Sequence, residues 1–166
     1  MIYARGYFAV GLCMPRDPKN VAHALRACGG FGAAFLGYSG VRYQRHAADS
    51  QKAYRHMPLL LSGDAPESIL SLVPYDCVPV AVEVDPRAQL LPSYTHPERA
   101  FYVMGPEDGS IPESVIQGCR DVVRIPSRFC LNLAAAMCVL LYDRSAKGTA
   151  NNASYERGTR LHAVSS

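Results

Sequence analysis

Residues 7–30, "YFAVGLCMPRDPKNVAHALRACGG", change their periodicity part-way along, and that change sets the fold class. Tyr7 to Cys13 is apolar and rich in strand formers. Asp17 and Pro18 read as a helix start, a carboxylate cap followed by proline at the first helical position. Val21, Ala24, Leu25 and Cys28 then recur at helical spacing, and Gly29-Gly30 reads as the end of that helix. Ala33 to Tyr38 reads as a second short strand.

The alternation continues. "APESILSL" (65–72) reads as a short helix, and "CVPVAVEVD" (77–85) as a strand buried on both faces. "AFYVMG" (100–105) repeats the strand pattern, "IPESVIQGCR" is a short helix with Pro112 in its first turn, and "DVVRIP" is a further buried strand. Leu131 to Tyr142 is apolar nearly all round, so a largely buried helix is expected. Strands and helices in alternation define an α/β domain with a mostly parallel sheet and helices on both faces. Beyond Asp143-Arg144 the composition turns polar, with Lys147, Arg157 and Arg160 adding positive charge. The expected organisation is one domain over 1–148 and a mobile tail over 149–166.

Bulk properties narrow the function. The chain has 166 residues, 49% of them hydrophobic, and a formal net charge of +3. That suits one sizeable core, and it permits a nucleic-acid partner without demanding one. No apolar run reaches the ~18 residues that span a bilayer, and the N-terminus lacks the apolar region and cleavage site of a signal peptide. Cys13, Cys28, Cys77, Cys119, Cys130 and Cys138 are scattered, with no Cys-x-x-Cys pair. Neither a metal site nor a disulfide framework is expected, and a reducing cytoplasmic setting is. The stretch 42–56 carries Arg42, Arg45, Lys52 and Arg55 against Asp49, with His46, His56 and tyrosines among them. It reads either as a solvated face or as a footprint for RNA phosphates with rings available to stack on bases. His23, His96 and His162 read as ordinary solvated residues.

In parallel sheets ligands bind beyond the carboxyl ends of the strands. Three segments leave such ends with unusual chemistry: "CMPRDPKNVAHALR", with Asn20 and Arg26 on one helix; "VMGPEDGSIPE"; and "IPSRFCLNLAAA". "GPEDGS" lacks the Gly-Lys-Ser/Thr of a P-loop and the spacing of a dinucleotide fingerprint, and Glu107 and Asp108 would repel an uncovered phosphate. It fits either a simple turn or a site for a ligand that is not a nucleoside triphosphate. Cys130 invites three readings: a nucleophile, a metal ligand or filler. No partner cysteines and no metal spacing accompany it, which weakens the metal reading.

Taken in order and spacing, these three segments resemble the motifs of the SPOUT superfamily, in its TrmH-like branch of RNA ribose 2′-O-methyltransferases. The resemblance covers roughly residues 7–148. It implies a five- or six-stranded parallel sheet whose C-terminal third forms a deep trefoil knot, and S-adenosylmethionine as cofactor. The implied cofactor residues are Glu83 and Val84; Met104, Gly105, Pro106, Glu107 and Gly109; and Ile125, Pro126, Cys130, Leu131 and Ala134. Catalysis falls by resemblance to Arg26, with Asn20, Glu107 and Asn132 orienting it and the ribose. Methyl transfer from a sulfonium needs no metal. The implied partners are RNA (tRNA first, rRNA second) and a second copy of the chain, joined through the C-terminal helix. Each residue also has a plainer reading: Arg26 as a surface charge, Asn20 as a first-turn residue, Glu107 as a turn acid, Asn132 as a helix cap. Cys130-Leu131-Asn132 stands where relatives carry Ser-Leu-Asn or Ser-Met-Asn, so a thiol replaces a hydroxyl. The competing functions are base methylation, a catalytically silent cofactor- and RNA-binding module, and an unrelated nucleotide-binding domain.

Overall fold

The computed structural model describes residues 6–40 and 52–156, with side chains as far as Gly148. Seven strands form one sheet: β1 (Phe8–Leu12), β2 (Leu36–Tyr38), β3 (Leu59–Leu61), β4 (Val78–Val82), β5 (Gln89–Leu90), β6 (Ala100–Met104) and β7 (Asp121–Arg124). Their order is β3-β2-β1-β6-β4-β7-β5 and every pairing is parallel. The helices are α1 (Pro18–Phe31), α2 (Glu113–Gln117) and α3 (Leu133–Glu156), joined by 3-10 turns that include Pro66–Leu72. The sheet exceeds the expected five or six strands because β3 and β5 are short pieces added at its two edges. Three leucines or a two-residue pair carry no alternation by which a strand could be read.

β1 explains why the sheet is filled on both sides. Phe8, Val10 and Leu12 join the core beneath α1 and α3, while Ala9 and Cys13 join the core beneath α2 and the Pro66–Leu72 turn. Period-two alternation therefore separates two apolar faces, each covered by helices. β6 is buried throughout. β4 and β7 are only partly so, a milder burial than their apolar runs suggest.

The start of α1 is as expected: the Asp17 carboxylate accepts from the Lys19 amide at 2.8 Å, and Pro18 opens the helix. Its end is not. Gly29 and Gly30 stay helical, and closure comes at Gly32, whose φ of 78° is the left-handed conformation that glycine adopts freely. Pro112 precedes α2 as its cap rather than lying within its first turn.

α3 runs unbroken to Glu156, because polar Ser, Thr and Asn lower helix propensity without ending a helix that packing has already started. Contrary to expectation, its apolar stretch is not buried all round. Met137, Leu140 and Leu141 are in the core, but Ala135, Cys138, Val139 and Tyr142 are exposed. These four fall at the spacing of one helical face. The first part of the basic stretch 42–56, like residues 157–166, lies outside the described residues. Its end forms a 3-10 turn, Ala53–Arg55, with the Arg55 guanidinium 6.0 Å from the Tyr54 ring centre.

His96 overturns its reading as a solvated residue. Its side chain is 5% exposed and lies between the Tyr102 hydroxyl at 2.6 Å and the Asp143 carboxylate at 2.9 Å. Asp143 also meets Lys147 at 2.6 Å, and the buried Arg144 donates to the Tyr102 hydroxyl and to the Pro97 and Glu98 carbonyls. Burial pushes the imidazole below its ordinary pKa, against the pull of Asp143.

Candidate active site

Register brings the loops together. Leu12 pairs with Met104, Met104 with Val82, and Val82 with Val123, so β1, β6, β4 and β7 end side by side. The chain reverses its direction of travel across the sheet between β1 and β6, the place where open α/β sheets hold ligands. The loops after β4, β6 and β7 and the first turn of α3 enclose a cleft. The loop after β1 closes against the loop after β6, where the Arg16 guanidinium meets Asp108 at 2.8 Å.

At the cleft's edge stands a chain of three side chains. Glu107 accepts from the Arg16 amide (2.9 Å), the Asp17 amide (3.3 Å) and the Asn20 carboxamide nitrogen (2.8 Å). Asn20 is buried, and its oxygen accepts from the Asn132 carboxamide nitrogen at 3.1 Å. The Asn132 oxygen accepts from the Ala134 amide at 2.9 Å, which caps α3. A carboxylate can only accept, so Glu107 turns the Asn20 nitrogen toward itself. That leaves the Asn20 oxygen for Asn132, which fixes Asn132 in turn. Burial works to raise the Glu107 pKa, but the donors from Arg16, Asn20 and Asp17 outweigh it, so the carboxyl titrates below its ordinary value.

The structure thus brings Asn20, Glu107 and Asn132 together and leaves Arg26 apart. Six residues along a helix is a rise of about 9 Å and a turn of about 240°, so Arg26 cannot share the contacts of Asn20. It is exposed and makes no hydrogen bond or ion pair among the described residues.

Glu83, Val84, Met104, Gly105, Pro106, Glu107, Gly109, Ile125, Cys130 and Leu131 all line the cleft. Pro126 does not; it lines an adjoining cavity. Ala134 does not either, since it is buried with its amide held by Asn132. Leu133 and Ala136, three apart and so on one face, take its place. Val82, Arg124 and Ser127 complete the lining. Val82 and Arg124 are the last residues of their strands, a position legible from strand ends alone, whereas Leu133 and Ala136 depend on the phase of α3. Glu83 is a brace as well as a wall: its oxygens accept from the Val84 and Ile111 amides, both at 2.8 Å, tying the β4 loop to the β6 loop. Gly105 permits this approach. A Cβ there would lie 3.0 Å from the Ile111 side chain and 3.4 Å from the Glu83 carboxylate. Cys130 is exposed and makes no hydrogen bond among the described residues. No group of His, Cys, Asp or Glu among them is placed to hold a metal, and none of their helices is long and apolar enough to cross a membrane.

A parallel α/β domain with a cleft of backbone loops beyond its strand ends is an enzyme-like ligand scaffold. The chain belongs to the SpoU rRNA Methylase family, whose model matches residues 7–142. A search of curated protein sequences found no match. Among solved structures the chain is similar to the SpoU methyltransferase AviRb from Streptomyces viridochromogenes, with a TM-score of 0.77 and 19% identity, over 89% of this chain and 62% of that one. AviRb has also been solved in complex with AdoMet, and there the TM-score is 0.72 at 18% identity, over 90% and 63% of the two chains. A third similar structure carries the description "Structural insights into the 2-OH methylation of C/U34 on tRNA" (TM-score 0.72, 21% identity, 89% of this chain and 94% of that one). The chain spans a little over three-fifths of the length of AviRb and nearly all of the third protein. At these identities the likeness establishes a shared fold.

Proposed function

We propose that this chain transfers a methyl group from S-adenosylmethionine to a ribose 2′-hydroxyl of RNA, with tRNA as the first candidate. The observation that carries the reading is the Glu107–Asn20–Asn132 chain at the edge of the cleft. Family membership and the AdoMet complex of a protein with the same fold support the cofactor. The lining fits it. Val82, Leu131, Leu133 and Ala136 offer apolar cover to an adenine, loop amides and carbonyls can read its edge, and the Glu83 and Glu107 carboxylates suit a cationic sulfonium. When bound, the cofactor supplies a methyl group on a leaving sulfur.

The chain's own residues do the rest. Glu107, anionic at neutral pH, holds the loops after β1 and β6 together and sets Asn20. Asn20 sets Asn132, which presents the start of α3 to the cleft. Preorganised amides and carboxamides stabilise developing charge without reorganising. As the oxygen–methyl bond forms and the sulfur–methyl bond breaks, the 2′-hydroxyl proton passes to a neighbouring RNA phosphate oxygen; a guanidinium stays charged, so Arg26, the cation expected by resemblance, would act on the developing alkoxide by charge and not as a base. The trefoil knot and a homodimer through α3 belong to the same reading. The exposed stripe Ala135, Cys138, Val139 and Tyr142 supports the dimer.

The test is incubation with labelled S-adenosylmethionine and total RNA, followed by nucleotide mapping. Label recovered in a 2′-O-methyl nucleotide is expected. Label in a base would move the chain to base methylation, and cofactor binding without transfer would make it a silent module. Cys130→Ser separates the last case: activity that appears only in the serine variant means the native site is silent.

A further inference from the structure

Beside the cofactor cleft lies a second cavity, lined among others by Leu90, Arg124, Ser127, Arg128, Phe129 and Cys130. It shares Val84, Arg124, Ile125, Ser127 and Cys130 with the cleft, so the two adjoin. No carboxylate lines it. Arg124 and Arg128 are exposed and have no hydrogen bond or ion pair among the described residues. By contrast, Arg16, Arg87, Arg99, Arg120 and Arg144 are each held by carboxylates or carbonyls. The Arg128 guanidinium lies 5.6 Å from the Phe129 ring centre, and Phe129 is 76% exposed. Both sit in the short loop between the end of β7 and the Asn132 cap of α3, so the platform is anchored at each end.

We propose that this cavity holds a nucleotide of single-stranded RNA next to the one that enters the cleft, its phosphate between Arg124 and Arg128 and its base on the open face of Phe129. The proposal rests on the function proposed above and names where its substrate lies. Uncompensated guanidiniums beside an exposed ring are the elements that bind single-stranded nucleic acid: cations track the backbone, and a ring accepts any base because every base has a flat face. An isolated exposed phenylalanine needs no explanation. One stacked with an arginine, on a rim free of carboxylates and beside a ligand cleft, fits a polyanion carrying rings.

The full chain is titrated with a fluorescein-labelled oligouridylate 12-mer, with total tRNA and with S-adenosylmethionine. Phe129→Ala should weaken oligouridylate binding roughly tenfold, while Phe129→Tyr keeps the ring and the affinity. Arg124→Gln with Arg128→Gln should make the slope of log affinity against log salt shallower by about 1.4, the amount for two single-strand phosphates. S-adenosylmethionine affinity should stay unchanged in Phe129→Ala, Phe129→Tyr and Arg128→Gln alone, because Arg128 and Phe129 line only the second cavity. Loss of cofactor binding in Arg128→Gln alone would assign the cavity to the cofactor's carboxylate and overturn the proposal. So would unchanged RNA binding, and so would a change of oligomeric state by light scattering with RNA affinity intact, which would make the patch a contact between copies. If the native chain binds and methylates RNA yet the variants behave like it, this inference alone falls. If the native chain binds neither RNA nor cofactor, the proposed function falls with it.

Discussion

Asn20 is held at both ends of its carboxamide, and that makes it the most informative single residue. Asn20→Ala would leave Glu107 and Asn132 each short of one partner; both are exposed, so water can replace it and the loss is that of ordinary hydrogen bonds, about 0.5–1.5 kcal/mol each. For a chain of this size each kcal/mol lowers Tm by about 2–4 °C. Differential scanning calorimetry should show a drop of that order, and methyl transfer should fall further than cofactor affinity does. His96 gives the second prediction at this scale. Its folded pKa lies below the ordinary 6.5, so the unfolded chain binds the proton more readily. The stability it contributes is full above about pH 6.5 and is lost as pH falls from there toward the folded pKa. Tm measured from pH 8 to pH 5 should decline below about 6.5, and His96→Gln should flatten that part of the curve. The residues facing His96 explain why its burial was not legible in sequence: Tyr102 is near in the chain, but Asp143 is 47 residues away and is brought in only by the packing of α3.

At the scale of elements, the strand–helix alternation, the Asp17-Pro18 start and the three site segments were legible because each is a local pattern with a local cause. The edge strands β3 and β5, the closure of α1 at Gly32 and the wall positions Leu133 and Ala136 were not. An edge strand of two or three residues is defined by its neighbour rather than by its own period. The wall positions follow from the phase that Asn132 imposes on α3. The exposed stripe on α3 was masked for a related reason: an all-apolar sequence cannot say which of its faces is covered. If that stripe is the dimer seam, Val139→Asp places an unpaired charge there. Size-exclusion chromatography with light scattering should then show a monomer whose Tm as an isolated chain is little changed. A helix whose stripe merely faces water would show no change in mass.

At the scale of the molecule, the sheet is filled from both faces and has little room at its centre. A Cβ on Gly11 would lie 2.7 Å from the Phe101 ring and 2.8 Å from the Ile69 side chain. Gly11→Val should therefore destabilise by about 1–3 kcal/mol, the usual penalty for overpacking, read as a lower urea midpoint. The pairing of β1 with β6 also bears on how the chain is made. Phe8 waits for Ala100, its neighbour in the finished sheet, while about ninety further residues are added; at ordinary rates of synthesis that takes roughly 5–20 s. Through that interval an apolar strand leaves the ribosome with one of its two edges open, and the nascent chain is a natural client for a chaperone that holds extended hydrophobic segments.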